Sequence, residues 1–148
     1  MTAPTPGCAK FVLTGAPGAG KTTIVQELRR MGWLTVPESF TALMLRAGAE
    51  PDLAALLGDP PAFQRRLLAH QLEAEALLHG PGAFLDRGTL DITFYRARLG
   101  VDLPADFDQL GNGNAYDRVF LVDPLPEAQY VASPAARARF ILDALQGR

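Results

Sequence analysis

Residues 15–22 read GAPGAGKT, which fits G-x-x-x-x-G-K-[ST] at every required position. An apolar run ending in glycine, KFVLTG over residues 10–15, precedes it and has the pattern of a buried parallel strand. Residues 21–31 follow as a predicted helix, with Ile24, Leu28 and Met31 at helical spacing and Gly32 as its stop. In that setting Gly15, Gly18 and Gly20 have a physical purpose. With Ala16, Pro17 and Ala19 between them, they let the backbone curl until its N–H groups converge on phosphate oxygens, where a Cβ would clash. The start of the helix adds the positive end of its dipole to the same anion site. Lys21 supplies a full charge for the β- and γ-phosphates, Thr22 a hydroxyl for magnesium, and Thr23 a bond to the α-phosphate. Against a glycine-rich turn that binds nothing, the full match in the right context points to a nucleoside triphosphate.

Outward from this loop, strands and helices alternate. Residues 33–37 (WLTVP) are a second expected strand, residues 39–47 a helix, and residues 53–57 a short helix in a proline- and glycine-rich loop. The longest helical pattern spans residues 62–79, where Phe63, Leu67, Leu68, Leu72, Ala76 and Leu78 recur at threes and fours. Residues 83–86 (AFLD) form the third strand, 90–99 a helix and 102–116 a loop. Residues 118–122 (RVFLV) are a fourth strand and 129–131 a short fifth. A last helix covers 135–145, opened by Ser133 as N-cap with Pro134 in its first turn. Such alternation implies βαβ crossovers and a mostly parallel sheet in an α/β sandwich. The expected organisation is a flexible leader over residues 1–9 and a single nucleotide-binding domain over 10–148.

Composition bounds the rest. The chain has 148 residues, 48% hydrophobic and 20% charged, enough apolar material for one real core and too much for a disordered chain. No apolar run approaches the ~18 residues of a transmembrane helix, and the N-terminus lacks the basic start and apolar stretch of a signal peptide. The expectation is a cytoplasmic protein without a membrane role. A net charge of −2 argues against a nucleic-acid binder that works by bulk charge. A lone cysteine, Cys8, forms no internal disulfide, and His70 and His79 stand nine apart, too far to present a joint metal face.

Magnesium bridging the β- and γ-phosphates needs a carboxylate at a strand tip near the loop. Two strands end in aspartate, at Asp86 and Asp123. Asp86 is favoured, because Arg87 follows it and sets a second charge at the phosphate end of the sheet. Asp123 is followed by proline and reads as a strand terminator. Glu38 closes the second strand at the carboxyl edge of the sheet, which faces the ligand crevice. It is either a general base for an attacking hydroxyl or an ordinary solvated glutamate at a helix start.

The segments KFVLTGAPGAGKTTIVQEL (10–28), VPES (36–39), FLDRGTLDITFY (84–95) and RVFLVDPLP (118–126) together resemble a bacterial P-loop family. Its members are small AAA-type ATPase/kinase-like proteins related to nicotinamide-riboside-kinase domains and to nucleoside and thymidylate kinases. The resemblance implies a three-layer P-loop NTPase sandwich with a five-stranded parallel sheet ordered 2-3-1-4-5. It implies Glu38 as base, and Asp86 with Arg87 on metal, phosphate or substrate. Asp91 fits the family's DR-x-x-x-D pattern and either contacts substrate or caps the following helix. Residues Tyr95, Arg96 and Arg98 line an acceptor pocket or belong to an ordinary amphipathic face, and the phenylalanines are expected in the core, with stacking on a base the alternative for Phe40 or Phe94.

One departure is marked. Only residues 123–127 separate the fourth strand from the expected fifth, so no helical, arginine-bearing lid fits there, and Arg137 and Arg139 on the last helix are not expected to replace it. The expected activity is transfer of the γ-phosphoryl of ATP, with magnesium, to a small nucleoside- or nucleotide-like hydroxyl compound. The alternative, favoured by the short lid, is a nucleotide-dependent switch or slow NTPase that engages a protein partner. ATP is preferred over GTP because no Asn-Lys-x-Asp motif occurs.

Overall fold

The computed structural model describes residues 7–16, 18–50, 55, 58–92, 116–123 and 134–147. Strand β1 is Ala9–Thr14 and helix α1 is Lys21–Arg30; β2 is Leu34–Val36 and α2 is Ser39–Ala47. They are followed by α3 (Pro60–Ala76), β3 (Gly82–Asp86), β4 (Arg118–Leu121) and α4 (Pro134–Gln146). The four strands form one sheet ordered β2-β3-β1-β4, parallel throughout. That is the 2-3-1-4 run expected of the P-loop NTPase sandwich. Pro17, the helix expected over 53–57 apart from residue 55, the chain over 93–115 and the expected fifth strand at 129–131 lie outside the described residues, as does the connection beyond Asp123.

Both faces of the sheet are buried at its centre, β1 and β3, which is why these strands read as apolar runs rather than as alternating ones. Phe11, Leu13 and Phe84 point to the side covered by α1 and α4, where they meet Ile24, Val25, Leu28, Ala138 and Ile141. Val12, Ala83 and Leu85 point the other way, against Ala74 and Leu78 at the end of α3. A third cluster, Leu43, Leu67, Leu68 and Ile92, joins α2 to α3. Each fully buried leucine or phenylalanine in these layers is worth roughly 1.5–3 kcal/mol.

Helix α1 stops where the sequence says it should. Gly32 takes φ 96°, its N–H bonds the Arg29 carbonyl at 3.0 Å, and the Trp33 N–H reaches back to Leu28 at 3.1 Å. That is a Schellman closure, and the left-handed residue is a glycine because a Cβ would be strained there. At α3 the expectation is corrected at both ends. The prolines assigned to the loop, Pro60 and Pro61, are its first two residues, and Asp59 caps them by accepting from the Ala62 N–H at 3.2 Å. Proline is tolerated there because the first helical N–H groups have no partner in any case. At the far end α3 stops at Ala76 instead of running to residue 79. Ala9, expected in the leader, belongs to β1.

Strand β4 continues as a single bond from the Val122 N–H to the Thr14 carbonyl at 2.8 Å. This brings the Val122 backbone against Gly15 (φ 142°), where a Cβ would lie 2.3 Å from the Val122 carbonyl oxygen. Overpacking and left-handed strain each cost ~1–3 kcal/mol. Gly15→Ala is therefore expected to lower stability by about 2–4 kcal/mol, read as the fall in thermal midpoint. Among the described residues no helix is long and apolar enough to cross a membrane.

Candidate active site

The loop between β1 and α1 meets the carboxyl ends of β1, β2 and β3 at a cleft of about 660 Å³, a size typical of small-molecule sites. Gly18 (φ 80°) and Gly20 (φ 89°) turn the chain there. Gly20 is also the N-cap of α1 and offers no side chain to its free N–H groups, so these stay available to an anion. Gly18, Gly20, Lys21, Thr22 and Thr23 line the cleft. Gly15 and Ala16 sit behind that face. The Ala19 methyl is buried in the core, and its N–H bonds the Ala16 carbonyl at 3.3 Å.

Lys21 is buried, and its Nζ donates to the carbonyls of Gly15 (3.0 Å) and Ala16 (2.7 Å). Burial, and then the nearby Arg87 guanidinium, push its pKa below the ordinary lysine value. Across the cleft floor, Thr22 Oγ1 donates to Asp86 Oδ2 at 2.7 Å. Asp86 is 2% exposed. Burial pushes its carboxyl above the ordinary carboxylate range, while the Thr22 hydroxyl, Lys21 and Arg87 pull it back. A hydroxyl and a buried, undercompensated carboxylate side by side form a hard-oxygen pair suited to magnesium, which takes one or two protein ligands and completes its shell with water and phosphate. The residues fit the ion. Asp123 is exposed and does not line the cleft.

This contrast gives a prediction. Asp86→Asn is expected to lower magnesium-dependent activity by roughly 10²-fold or more, whereas Asp123→Asn should change it by less than about twofold. Without metal the stability effect has the opposite sign. A carboxyl raised by folding loses stability as pH climbs through its folded value. Above the ordinary carboxylate range, Asp86→Asn should then melt no lower than the wild type. Titrating magnesium against both variants by thermal midpoint and turnover checks each part.

Arg87 follows Asp86 with φ 70°, a left-handed residue that is not glycine. Its N–H bonds the Leu13 carbonyl at 2.9 Å, and its own carbonyl accepts from Gln71 Nε2 at 3.4 Å. These bonds over-determine a turn that costs of order 1–3 kcal/mol, strain of a kind that clusters at functional sites. The turn sends the guanidinium back over the cleft, with Nε 3.1 Å from Glu38 Oε1 and Nη1 3.7 Å from Asp91 Oδ1. Glu38 precedes α2 and also accepts from Thr41 Oγ1 at 2.9 Å. Glu38 is half-buried and lines the cleft in an ion pair with Arg87.

Asp91 accepts from the Gly88 N–H (2.9 Å) and from Thr14 Oγ1 (2.6 Å). Residues 89–92 are helical, so Asp91 closes the helix start from its third position while tying it to the end of β1. Its carboxylate also reaches the cleft wall. Tyr116 buttresses the same turn, its hydroxyl accepting from the Thr89 N–H at 2.8 Å, and burial raises its pKa to about 12.

Several residues of the site are absent from the sequence-based expectation. Ser39, Gln64, Leu67, Gln71 and Ile92 also line the cleft, with Phe40. Ser39 Oγ donates to Gln71 Oε1 at 2.5 Å and lies 3.1 Å from His70 Nδ1, and burial holds the His70 pKa below its usual value. The sequence carried one sign of this. Gln64 and Gln71 sit on the same stripe of α3 as Phe63, Leu67 and Leu68, two turns apart, where polar side chains are out of place. Arg137 on α4 donates to the Ala19 carbonyl at 3.0 Å, gripping the loop from outside the cleft. Phe94, Tyr95, Arg96 and Arg98 lie outside the described residues.

A comparison with curated proteins finds no match. Among solved structures, the chain is similar to a thymidylate kinase from Ehrlichia chaffeensis, at 19% identity over 95% of this chain and 83% of that one, with a TM-score of 0.48. It is also similar to the APS kinase CysC of Mycobacterium tuberculosis, solved as a cysteine-to-alanine variant, at 17% identity over 97% and 100% of the two chains, with a TM-score of 0.42. A family model described as AAA domain matches residues 10–141, from the first strand through the last helix. With its glycine-rich loop between β1 and α1 and that match over most of its length, the chain belongs to the AAA domain family of P-loop proteins.

Proposed function

We propose that this protein transfers the γ-phosphoryl group of ATP to a hydroxyl of a small organic acceptor. The observation that supports this most is the lining of the cleft, which joins Lys21 and Thr22 of the phosphate loop and the carboxylates Glu38, Asp86 and Asp91 to the apolar side chains Phe40, Leu67 and Ile92. Apolar surface beside a carboxylate suits an organic acceptor.

In this reading the loop amides and Lys21 hold the triphosphate, with the Lys21 ammonium exchanging its two carbonyl partners for phosphate oxygens. Thr22 and Asp86 would hold magnesium, which would supply positive charge to offset that of the triphosphate. Glu38 takes the proton of the attacking acceptor hydroxyl. Arg87, steered by Glu38 and Asp91, faces the charge that spreads over the transferring group. Asp91 acts as a positioning residue. Catalysis here is placement and charge compensation, as phosphoryl transfer requires.

The test is transfer of label from γ-labelled ATP to a pool of nucleosides and related hydroxyl metabolites, alongside thermal shifts with magnesium and ATP. A ligand that binds only the folded state must raise its midpoint. Labelled product supports the kinase reading. Binding and slow hydrolysis without product on any acceptor replaces it with the nucleotide switch.

A further inference from the structure

Four polar groups form one hydrogen-bonded chain at the cleft wall, and every proton in it is assigned from one end. The Arg87 carbonyl can only accept, so the Gln71 amide turns its Nε2 toward it, at 3.4 Å. Gln71 Oε1 then faces Ser39, whose hydroxyl donates to it at 2.5 Å. That uses the single hydrogen of Ser39, so its 3.1 Å contact with His70 Nδ1 is made by a ring N–H. His70 is thereby fixed as the Nδ1–H tautomer. Burial, then Arg46 and Arg66, hold its pKa below the usual value against the opposing pull of Glu73. Protonation would add a hydrogen only at Nε2, so the chain keeps its direction in either state. Ser39 is 3% and Gln71 2% exposed. Such a chain is stiff, because any break in it strands a buried polar group.

The two ends of the chain have a common use. Ser39 follows Glu38 and opens α2, and Arg87 is the left-handed turn after β3. Glu38 and Arg87 are the pair whose side chains meet at 3.1 Å over the cleft. Gln71 therefore ties the backbone that carries one to the backbone that carries the other. Packing alone does not call for an amide at this place on α3, whose buried stripe also holds Phe63, Leu67 and Leu68. We propose that Gln71 is a positioning residue: its amide, oriented by Ser39 and His70, holds the Arg87 turn left-handed and so keeps the guanidinium beside Glu38 and facing the transferring phosphoryl group. The inference rests on the kinase reading above and deepens it by naming what aims its arginine. Gln71 acts here through Arg87 and touches no reacting atom.

The test is a double-mutant cycle on the full chain, assayed with magnesium, γ-labelled ATP and the acceptor pool above. Its corners are the wild type, Gln71→Met, Arg87→Ala and the double variant. Gln71→Met, close in shape to glutamine but without a donor, is expected to lower kcat by about 10²-fold, the scale of a small misplacement. KM for ATP should stay within about threefold, because the phosphate loop is untouched. In the Arg87→Ala background the same substitution should cost less than about threefold, since no guanidinium remains to be aimed. A glutamine that only supports the fold would cost the same factor in both backgrounds, and that result overturns the proposal. An Arg87→Ala variant as active as the wild type does so too. Ser39→Ala should show a comparable loss with the same dependence on Arg87, and it takes the place of Gln71→Met if that variant folds poorly. His70→Asn still presents an N–H where the ring has one and should stay within about threefold of the wild type, whereas His70→Leu should lose roughly 10-fold. Equal rates in the two His70 variants overturn the assigned direction of the chain. If no acceptor is labelled, the kinase reading fails by itself. The cycle is then read on release of labelled phosphate by hydrolysis, where Arg87 faces the same group and the same coupling is expected. A wild type that turns over no ATP by either route overturns both.

Discussion

Lys21→Ala is expected to lower phosphoryl transfer by roughly 10³-fold, the scale on which single transition-state charge contacts act, while leaving the fold intact. The activity argument is one of charge: the ammonium sits in the loop, 3.0 and 2.7 Å from the Gly15 and Ala16 carbonyls, where a triphosphate would replace those partners. The stability argument is independent of it. Folding lowers the Lys21 pKa, chiefly through burial, so the charged side chain is held at a cost. Below its folded pKa that cost is fully present. As pH rises from the lowered folded value toward the ordinary value of 10.5, the folded state sheds its proton first and the wild type gains stability. The alanine variant lacks the group, so its thermal midpoint should match or exceed the wild type's at neutral pH, and the advantage should shrink in alkali. Melting curves across pH and labelled-ATP turnover on both proteins measure the two effects separately. An unchanged turnover in a folded variant would falsify the assignment of Lys21 to the phosphates.

What the sequence revealed and what it withheld divide along physical lines. The phosphate loop was legible because its constraints are local: positive φ at Gly18 and Gly20, a strand before and a helix after. Asp86 and Glu38 were legible because strand ends in a parallel sheet share one edge, so two acids closing separate strands converge without further information. The strand order came from the resemblance rather than from the residues, and the four described strands follow it. Arg87 was legible as a charge but not as a left-handed turn, which depends on bonds from Leu13 and Gln71, elements far apart in the chain. Gln64 and Gln71 were not legible, because they fall on the same stripe of α3 as its apolar residues. Which part of α3 faces the sheet and which faces the cleft is decided by packing against α2 and Ile92, not by periodicity. Arg137 was set aside as remote. It returns across 118 residues to the Ala19 carbonyl because α4 packs on α1, and this gives the loop a support from outside the cleft. The prolines opening α3 misled for a simpler reason. Their effect on a helix depends on position, and Asp59 as cap was the local sign that they begin one.

Glu38→Gln separates chemistry from binding. The substitution keeps the side chain's length and a hydrogen-bonding oxygen for Thr41, but removes the carboxylate that pairs with Arg87 and accepts the acceptor's proton. The ion pair is only partly buried, with side-chain exposure of 12% on Arg87 and 28% on Glu38, so its loss should cost no more than about 1 kcal/mol of stability. Arg87 keeps Asp91 at 3.7 Å and its backbone bond to Leu13, which hold the turn in place. ATP affinity should therefore persist, because the partners of Glu38 are Thr41 and Arg87 and none is a residue of the glycine loop. Transfer to the acceptor should fall by roughly 10²–10⁴-fold, the usual worth of a positioned general base. Glu38→Asp provides the internal control: it retains the charge but withdraws it by one methylene, so it should recover part of the rate. Hydrolysis of ATP measured without acceptor should barely move in any of the three proteins. If ATP binding and transfer fall together, the role of Glu38 is to position Arg87. If transfer is untouched in Glu38→Gln, the proton goes elsewhere, and Asp91 becomes the carboxylate on the cleft wall to test next.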